Sequence, residues 1–175
     1  MEGFRAPAAA YDRFVGRYGA ELARALADFA GIRPGLRVLD VGCGPGALTA
    51  ELVDRVGLDA VAAVEPSPVF AAACRERIPG VHVEEAGAEE LPFPDDAFGA
   101  ALAQLVVNFI PDPLAGVREM ARVTRPDGVV AAAVWDYAGG MTLLRAFWDA
   151  AAELDPAAGE RDEGRVARHC SREGI

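Results

Sequence analysis

Lysine is absent from this chain, so its 17 basic residues are all arginine, and 27 acids outnumber them for a net charge of −10. A surface of that sign argues against a nucleic-acid partner or an anionic membrane, because phosphate contacts need a basic face. Cysteine is scarce, with three at scattered positions. An odd count at irregular spacing argues against a disulfide framework and for a reducing, cytoplasmic setting. The two histidines stand far apart with no paired cysteines beside them, which argues against a metal site. No apolar run is long enough for a membrane span. The segment from Met1 to Ala10 has no apolar core of signal-peptide type. At 175 residues the chain suffices for one domain with a substantial core, so positions 1–175 are expected to form a single unit.

What is present is concentrated in Val38–Thr49. Val38-Leu39-Asp40-Val41 reads as a buried strand, Gly42-Cys43-Gly44-Pro45-Gly46 as a tight turn, and Ala47 onward as a helix. In open α/β sheets ligands sit at such junctions, beyond the carboxyl ends of strands. Each missing Cβ lets the backbone take positive φ and come close to a ligand. The spacing G-x-G-x-G is one residue shorter than the dinucleotide fingerprint, and the Lys-Ser/Thr of a phosphate loop is missing. The turn is therefore suited to a ligand other than a pyrophosphate. That spacing also weighs against a nicotinamide-dependent oxidoreductase.

The remaining pattern alternates strand and helix. Tyr11–Ala30 is predicted as an amphipathic helix, with Phe14, Tyr18, Leu22, Ala25 and Phe29 on one side. Strands are predicted at Leu36–Val41, Asp59–Glu65, Val81–Glu85, Phe98–Val107 and Val129–Trp135. Helices are predicted at Ala47–Val56, Pro68–Ile78 (with Ser67 as N-cap), Pro113–Thr124 (capped by Asp112) and Met141–Leu154. Strands this uniformly apolar are expected to be buried on both faces. Together they predict an α/β fold with a doubly wound, mostly parallel sheet. The segment 155–175 is charged and weakly patterned.

Four ordered passages carry a family resemblance: Val38–Thr49, Val61–Ser67, Ala88–Phe98, and Leu105–Pro113 leading into Glu119–Gly128. In order and separation they resemble the class I S-adenosylmethionine-dependent methyltransferases, of the small-molecule type related to quinone-biosynthesis enzymes. The likeness spans 11–135 and implies a Rossmann-like core with S-adenosylmethionine as cofactor. Asp40, Gly42, Cys43, Gly44 and Gly46 would then line the amino-acid end of that cofactor. Glu65 ends the second strand about twenty residues after the turn, where an acid accepts the hydroxyls of a ribose. A solvated strand-end acid is the plainer alternative. Ser67 follows it. Ala88 and Glu89 stand where the family flanks the adenine ring, although Gly87 replaces the Asp that many relatives carry there. Glu89 reads equally as an exposed loop acid, and Gln104, expected beside the methionine part, as a polar strand end. Tyr11 and Arg17 either fold over the cofactor or belong to an ordinary amphipathic face.

The resemblance implies methyl transfer to a small-molecule acceptor, with alignment and water exclusion as the protein's main tasks. Asn108, Asp136 and Tyr137 follow strands four and five, at the substrate end of the sheet, but form no recognisable constellation. No catalytic residue is assigned. Family members continue beyond the fifth strand with a final antiparallel pair, whereas this sequence stops at Ile175. A sheet lacking its last two strands is therefore expected. Its apolar edge at Val129–Trp135 predicts self-association. A module that binds the cofactor without catalysing transfer is the alternative on that expectation.

Overall fold

The computed structural model describes residues 16–166. Tyr11 and the side chain of Arg17 lie outside the described residues. The chain divides into two compact units, one ending at Ala133 and the other beginning at Val134.

The first unit is a five-stranded parallel sheet in the order β3-β2-β1-β4-β5, with β1 Val38–Val41, β2 Val61–Val64, β3 His82–Glu84, β4 Phe98–Gln104 and β5 Thr124–Ala133. Its helices are α1 Gly19–Phe29, α2 Ala47–Val56, α3 Pro68–Arg77 and α4 Pro113–Val123. The order reverses between β1 and β4, and that reversal opens a crevice at the carboxyl ends of both strands. Right-handed crossovers that run outward in two directions place their helices on opposite faces. Accordingly Ala23, Leu26 and Ala27 of α1 and Leu48 and Leu52 of α2 join Val38, Ala100 and Leu102 in one cluster. Ala71 and Cys74 of α3 extend that layer over Ala63 and Val83. On the other side α4 packs against β4 and β5, with Met120 and Val123 fully buried.

The central strands are apolar because both faces are covered: every residue of β1 and β2 is buried, Asp40 included. Helix starts follow local chemistry. The Asp112 carboxylate accepts the Ala115 N–H at 3.0 Å, and Pro113 sits at the first turn, where its missing donor costs nothing. Ser67 holds the N-cap position of α3, but its side chain makes no capping bond. Its backbone N–H instead donates to Glu65 Oε1 at 3.0 Å.

Three expectations need correction. The described part of the predicted 11–30 helix starts with a 3-10 turn, Gly16–Tyr18, and becomes α-helical only from Gly19. β4 stops at Gln104, because Leu105 adopts a φ of 60° and the chain passes into a 3-10 turn at Val107–Phe109. β5 is not a fully buried strand beginning at Val129. It starts at Thr124, its pairing shifts between Phe98/Thr124 and Ala100/Val129, and Val129 and Val130 are each 39% exposed. An apolar run reports the absence of polar side chains; coverage depends on whether a neighbour lies alongside, and β5 is the edge of this sheet.

The second unit contains α5, Thr142–Leu154, a 3-10 turn at Pro156–Glu160 and the short α6, Glu163–Val166. Arg145 grips buried Asp162 with both terminal nitrogens, and Gly164 N–H donates to the same carboxylate at 2.9 Å. Among the described residues no helix is long and apolar enough to cross a membrane.

Candidate functional site

The turn after β1 is fastened to β2 by its own backbone: the N–H groups of Gly42 and Cys43 both donate to the Val64 carbonyl, at 2.9 and 3.0 Å. The three glycines then serve different ends, although all have positive φ. A Cβ on Gly42 would lie 2.3 Å from Val106 Cγ2, and one on Gly46 would lie 2.9 Å from Cys74 Sγ. These two are required by packing against β4's continuation and α3. A Cβ on Gly44 would meet nothing within 4 Å. Gly44 is the glycine that keeps a cleft open.

That cleft lies between the turn, the start of α2 and the end of β4, and is lined by Asp40, Gly42, Cys43, Gly44, Gln104 and Leu105 among others. Asp40 is wholly buried. Its Oδ2 accepts the Thr49 hydroxyl at 2.6 Å, while Oδ1 has no hydrogen-bond partner. Burial pushes its carboxyl up to about 7, against the lowering effect of Thr49, and the nearby Glu65 charge adds to the rise. Gln104 repeats the pattern: its Nε2 donates to the Gly19 carbonyl at 3.1 Å and its buried Oε1 has no partner. Two residues of one cleft lining thus each carry a buried oxygen without a donor, at a typical cost of about 1–3 kcal/mol apiece when left dry. Leu105 adds backbone strain at the same place, since its positive φ disfavours any side chain with a Cβ.

Glu65 does not line this cleft. Its carboxylate bridges backbone groups, Oε2 accepting from Gly44 N–H at 2.9 Å and Oε1 from Ser67 N–H at 3.0 Å. Burial raises its carboxyl above the ordinary range, and these two bonds oppose the rise. It acts here as a strut that holds the glycine turn against the end of β2. Cys43 is buried among α3 residues, and its thiol is pushed upward beside Cys74, which leaves it a packing group.

The loop after β3 forms a separate wall. Ala88 is buried, and Glu89 Oε1 lies 3.5 Å from the Asp112 N–H at the start of α4. Of the residues singled out in the sequence, the structure brings Asp40, Gly42, Cys43, Gly44 and Gln104 to one cleft, with Glu65 and Ser67 joined to it through backbone bonds. Gly46, Ala88 and Glu89 are not on its lining. Asn108 belongs to the 3-10 turn after β4, and Asp136 Oδ1 accepts the Gly139 N–H at 2.9 Å within the second unit. Sequence reasoning missed Thr49, the partner that orients Asp40. It also missed Glu119 and Arg122, which hold the loop after β3. Thr49 is the third residue of α2, a position with no distinguishing local pattern.

Residues 39–132 match the family model described as "Methyltransferase domain". A rice 2-methyl-6-phytyl-1,4-hydroquinone methyltransferase is 40% identical over 96 residues, covering 54% of this chain and 28% of its own length. A demethylmenaquinone methyltransferase from Mycolicibacterium paratuberculosis is 41% identical over 98 residues, covering 56% and 41%. The chain thus spans less than half the length of these curated relatives. Among solved structures, a SAM dependent methyltransferase from Aquifex aeolicus superimposes with a TM-score of 0.65 at 20% identity, over 76% of this chain and 75% of that one, a likeness of fold. The [4+2]-cyclase SpnF gives 0.58 at 28% identity, over 65% and 43%.

Proposed function

Because this chain belongs to the methyltransferase domain family, of the class I small-molecule type that uses S-adenosylmethionine, we propose that the cleft after β1 binds that cofactor. On this reading its bound methyl group passes to a small-molecule acceptor. The observation that carries the reading is that two residues lining one cleft, Asp40 and Gln104, each keep a buried oxygen without a partner, Oδ1 and Oε1 respectively. An α-ammonium group has three N–H donors and no acceptor, which is the chemistry that oxygens without donors call for. A carboxylate beside it turns one of those bonds into a charge-assisted one. Asp40, Gly42, Gly44 and Gln104 would hold the amino-acid end. Each Glu65 oxygen accepts one N–H and retains acceptor capacity for a ribose hydroxyl. Ser67, Ala88 and Glu89 belong to the nucleoside side of the same proposal.

When bound, the cofactor supplies an electrophilic methyl group on a sulfonium. The chain's own residues then have to bind, orient and exclude water rather than perform covalent chemistry. Open backbone at Gly44 permits close approach, and the strut from Glu65 fixes the turn before ligand arrives. No general base is assigned, since one is needed only where the acceptor must lose a proton. The two curated relatives are named for hydroquinone and menaquinone-type acceptors, so an electron-rich aromatic ring is the acceptor class we put forward. The cyclase among the fold neighbours is a reminder that one sheet hosts several chemistries.

Calorimetry with S-adenosylhomocysteine tests cofactor binding directly, and a micromolar Kd is expected. No heat at millimolar ligand would sink the reading. Mass spectrometry of incubations with S-adenosylmethionine and a panel of hydroquinones and phenols then reads the methylated product. Binding without product would favour the cofactor-binding module.

A further inference from the structure

Helix α4 also organises the loop that follows β3. All five N–H donors of the Arg122 guanidinium are engaged: Nε and Nη2 with Glu119, each at 2.7 Å, Nη1 with the Phe93 carbonyl at 2.9 Å and Asp95 at 2.7 Å, and Nη2 with the Leu91 carbonyl at 3.0 Å. Glu119 Oε2 in turn accepts the Leu91 N–H at 2.8 Å, and the Asp96 N–H donates to the Arg122 carbonyl at 3.0 Å. One arginine and one glutamate therefore tie down the backbone of Leu91, Phe93 and Asp96. Further up the same helix, Gly116 leaves room for the loop's tip: a Cβ there would lie 3.0 Å from Ile110 Cδ1 and 3.5 Å from Ala88 Cβ. β3 anchors the loop at one end and Arg122 at the other, so the short span carrying Ala88 and Glu89 has little freedom left.

We propose that Arg122 is a positioning residue for cofactor binding: by locking Leu91–Asp95 to α4 it sets the Ala88–Glu89 tip against Gly116. This rests on the cofactor reading above, in which that tip flanks the adenine. A planar five-donor fork suits two carbonyls and two carboxylates together in a way an ammonium cannot. A mere surface ion pair would affect affinity little.

Arg55 supplies a matched control. It pairs with Glu51 and Asp28, both at 2.7 Å, and with the Arg24 carbonyl at 3.2 Å, joining α2 to α1 away from this loop. The experiment measures S-adenosylhomocysteine affinity by calorimetry for the full chain, Arg122→Gln, Glu119→Gln and Arg55→Gln, at a temperature where all are folded. Arg122→Gln is expected to weaken binding about tenfold, Glu119→Gln by a smaller factor, and Arg55→Gln by less than twofold. Hydrogen exchange at the Leu91 amide should accelerate in Arg122→Gln while β1 amides stay protected. Should Arg122→Gln fail to fold, Glu119→Gln carries the same comparison. Wild-type affinity in both loop variants would overturn the inference alone. Absence of binding to the unaltered chain would overturn the cofactor reading and this inference with it.

Discussion

The two loops at the ligand edge of the sheet are held by opposite means. The turn after β1 is held from below and within: by a β2 carbonyl, by glycines with no room for a Cβ, and by the buried Glu65 strut. The loop after β3 is held from the side, by the Glu119 and Arg122 side chains of a helix far along the chain, in a half-exposed setting. Buried bonds in a low dielectric are strong and costly to break. Half-exposed ion pairs gain little net free energy but still specify geometry. The turn should thus govern folding and binding together, and the loop binding more than folding.

The sharpest way to break this contrast lies in the glycines. Gly42→Val should cost about 4 kcal/mol, from positive φ and a 2.3 Å clash with Val106. Gly44→Ala, in open space, should cost only about 1 kcal/mol while lowering cofactor affinity. Urea denaturation and calorimetry on the two variants check both halves. Equal destabilisation would erase the distinction between packing and cleft glycines.

Asp40→Asn comes next. Because the folded-state carboxyl of Asp40 is raised to about 7, the native protein holds a proton that the unfolded chain has released. Its contribution to apo stability is present below pH 4 and is lost as pH rises toward 7, by about 4 kcal/mol at most. Asn should flatten that part of the pH–stability curve. It should also weaken S-adenosylhomocysteine binding about tenfold or more, and remove the gain in affinity expected between pH 6 and 8 as Asp40 ionises. Denaturation and titrations across this range read both effects.

The smallest effect belongs to the loop. Glu119→Gln should lower unfolding stability by no more than about 1 kcal/mol, well below the cost of Gly42→Val. A loss of several kcal/mol in thermal denaturation would mean that α4 and the loop form part of the folding core.

Much of the scaffold was legible because it is local. The start of α2 at Ala47 follows a glycine turn, α4 starts at an Asp-Pro cap, and β1 and β2 are apolar runs of the right length. Asp40 and Gly44 could be named because a turn at a strand end announces a ligand edge, and Gln104 because the family resemblance put the end of the fourth strand beside the cofactor. Legibility failed where a partner comes from elsewhere in the chain. Ser67 holds the expected N-cap position but its side chain makes no capping bond, and its N–H donates to Glu65, whose carboxylate also accepts from the turn. The apolar pattern of β5 concealed an exposed edge. Arg122, one of 17 arginines, carries no local mark of its bonds to a loop some thirty residues earlier.

The order of strands and helices, the glycine turn and the acids beside it were determined by the sequence alone, because period, turn chemistry and capping act over a few residues. Tertiary structure alone decided that Gly44 faces open space while Gly42 and Gly46 face side chains. It alone left Asp40 and Gln104 each with one buried oxygen unpaired and made Arg122 the anchor of a distant loop. Those are properties of close approach between segments remote in the chain, and burial gives them their energy.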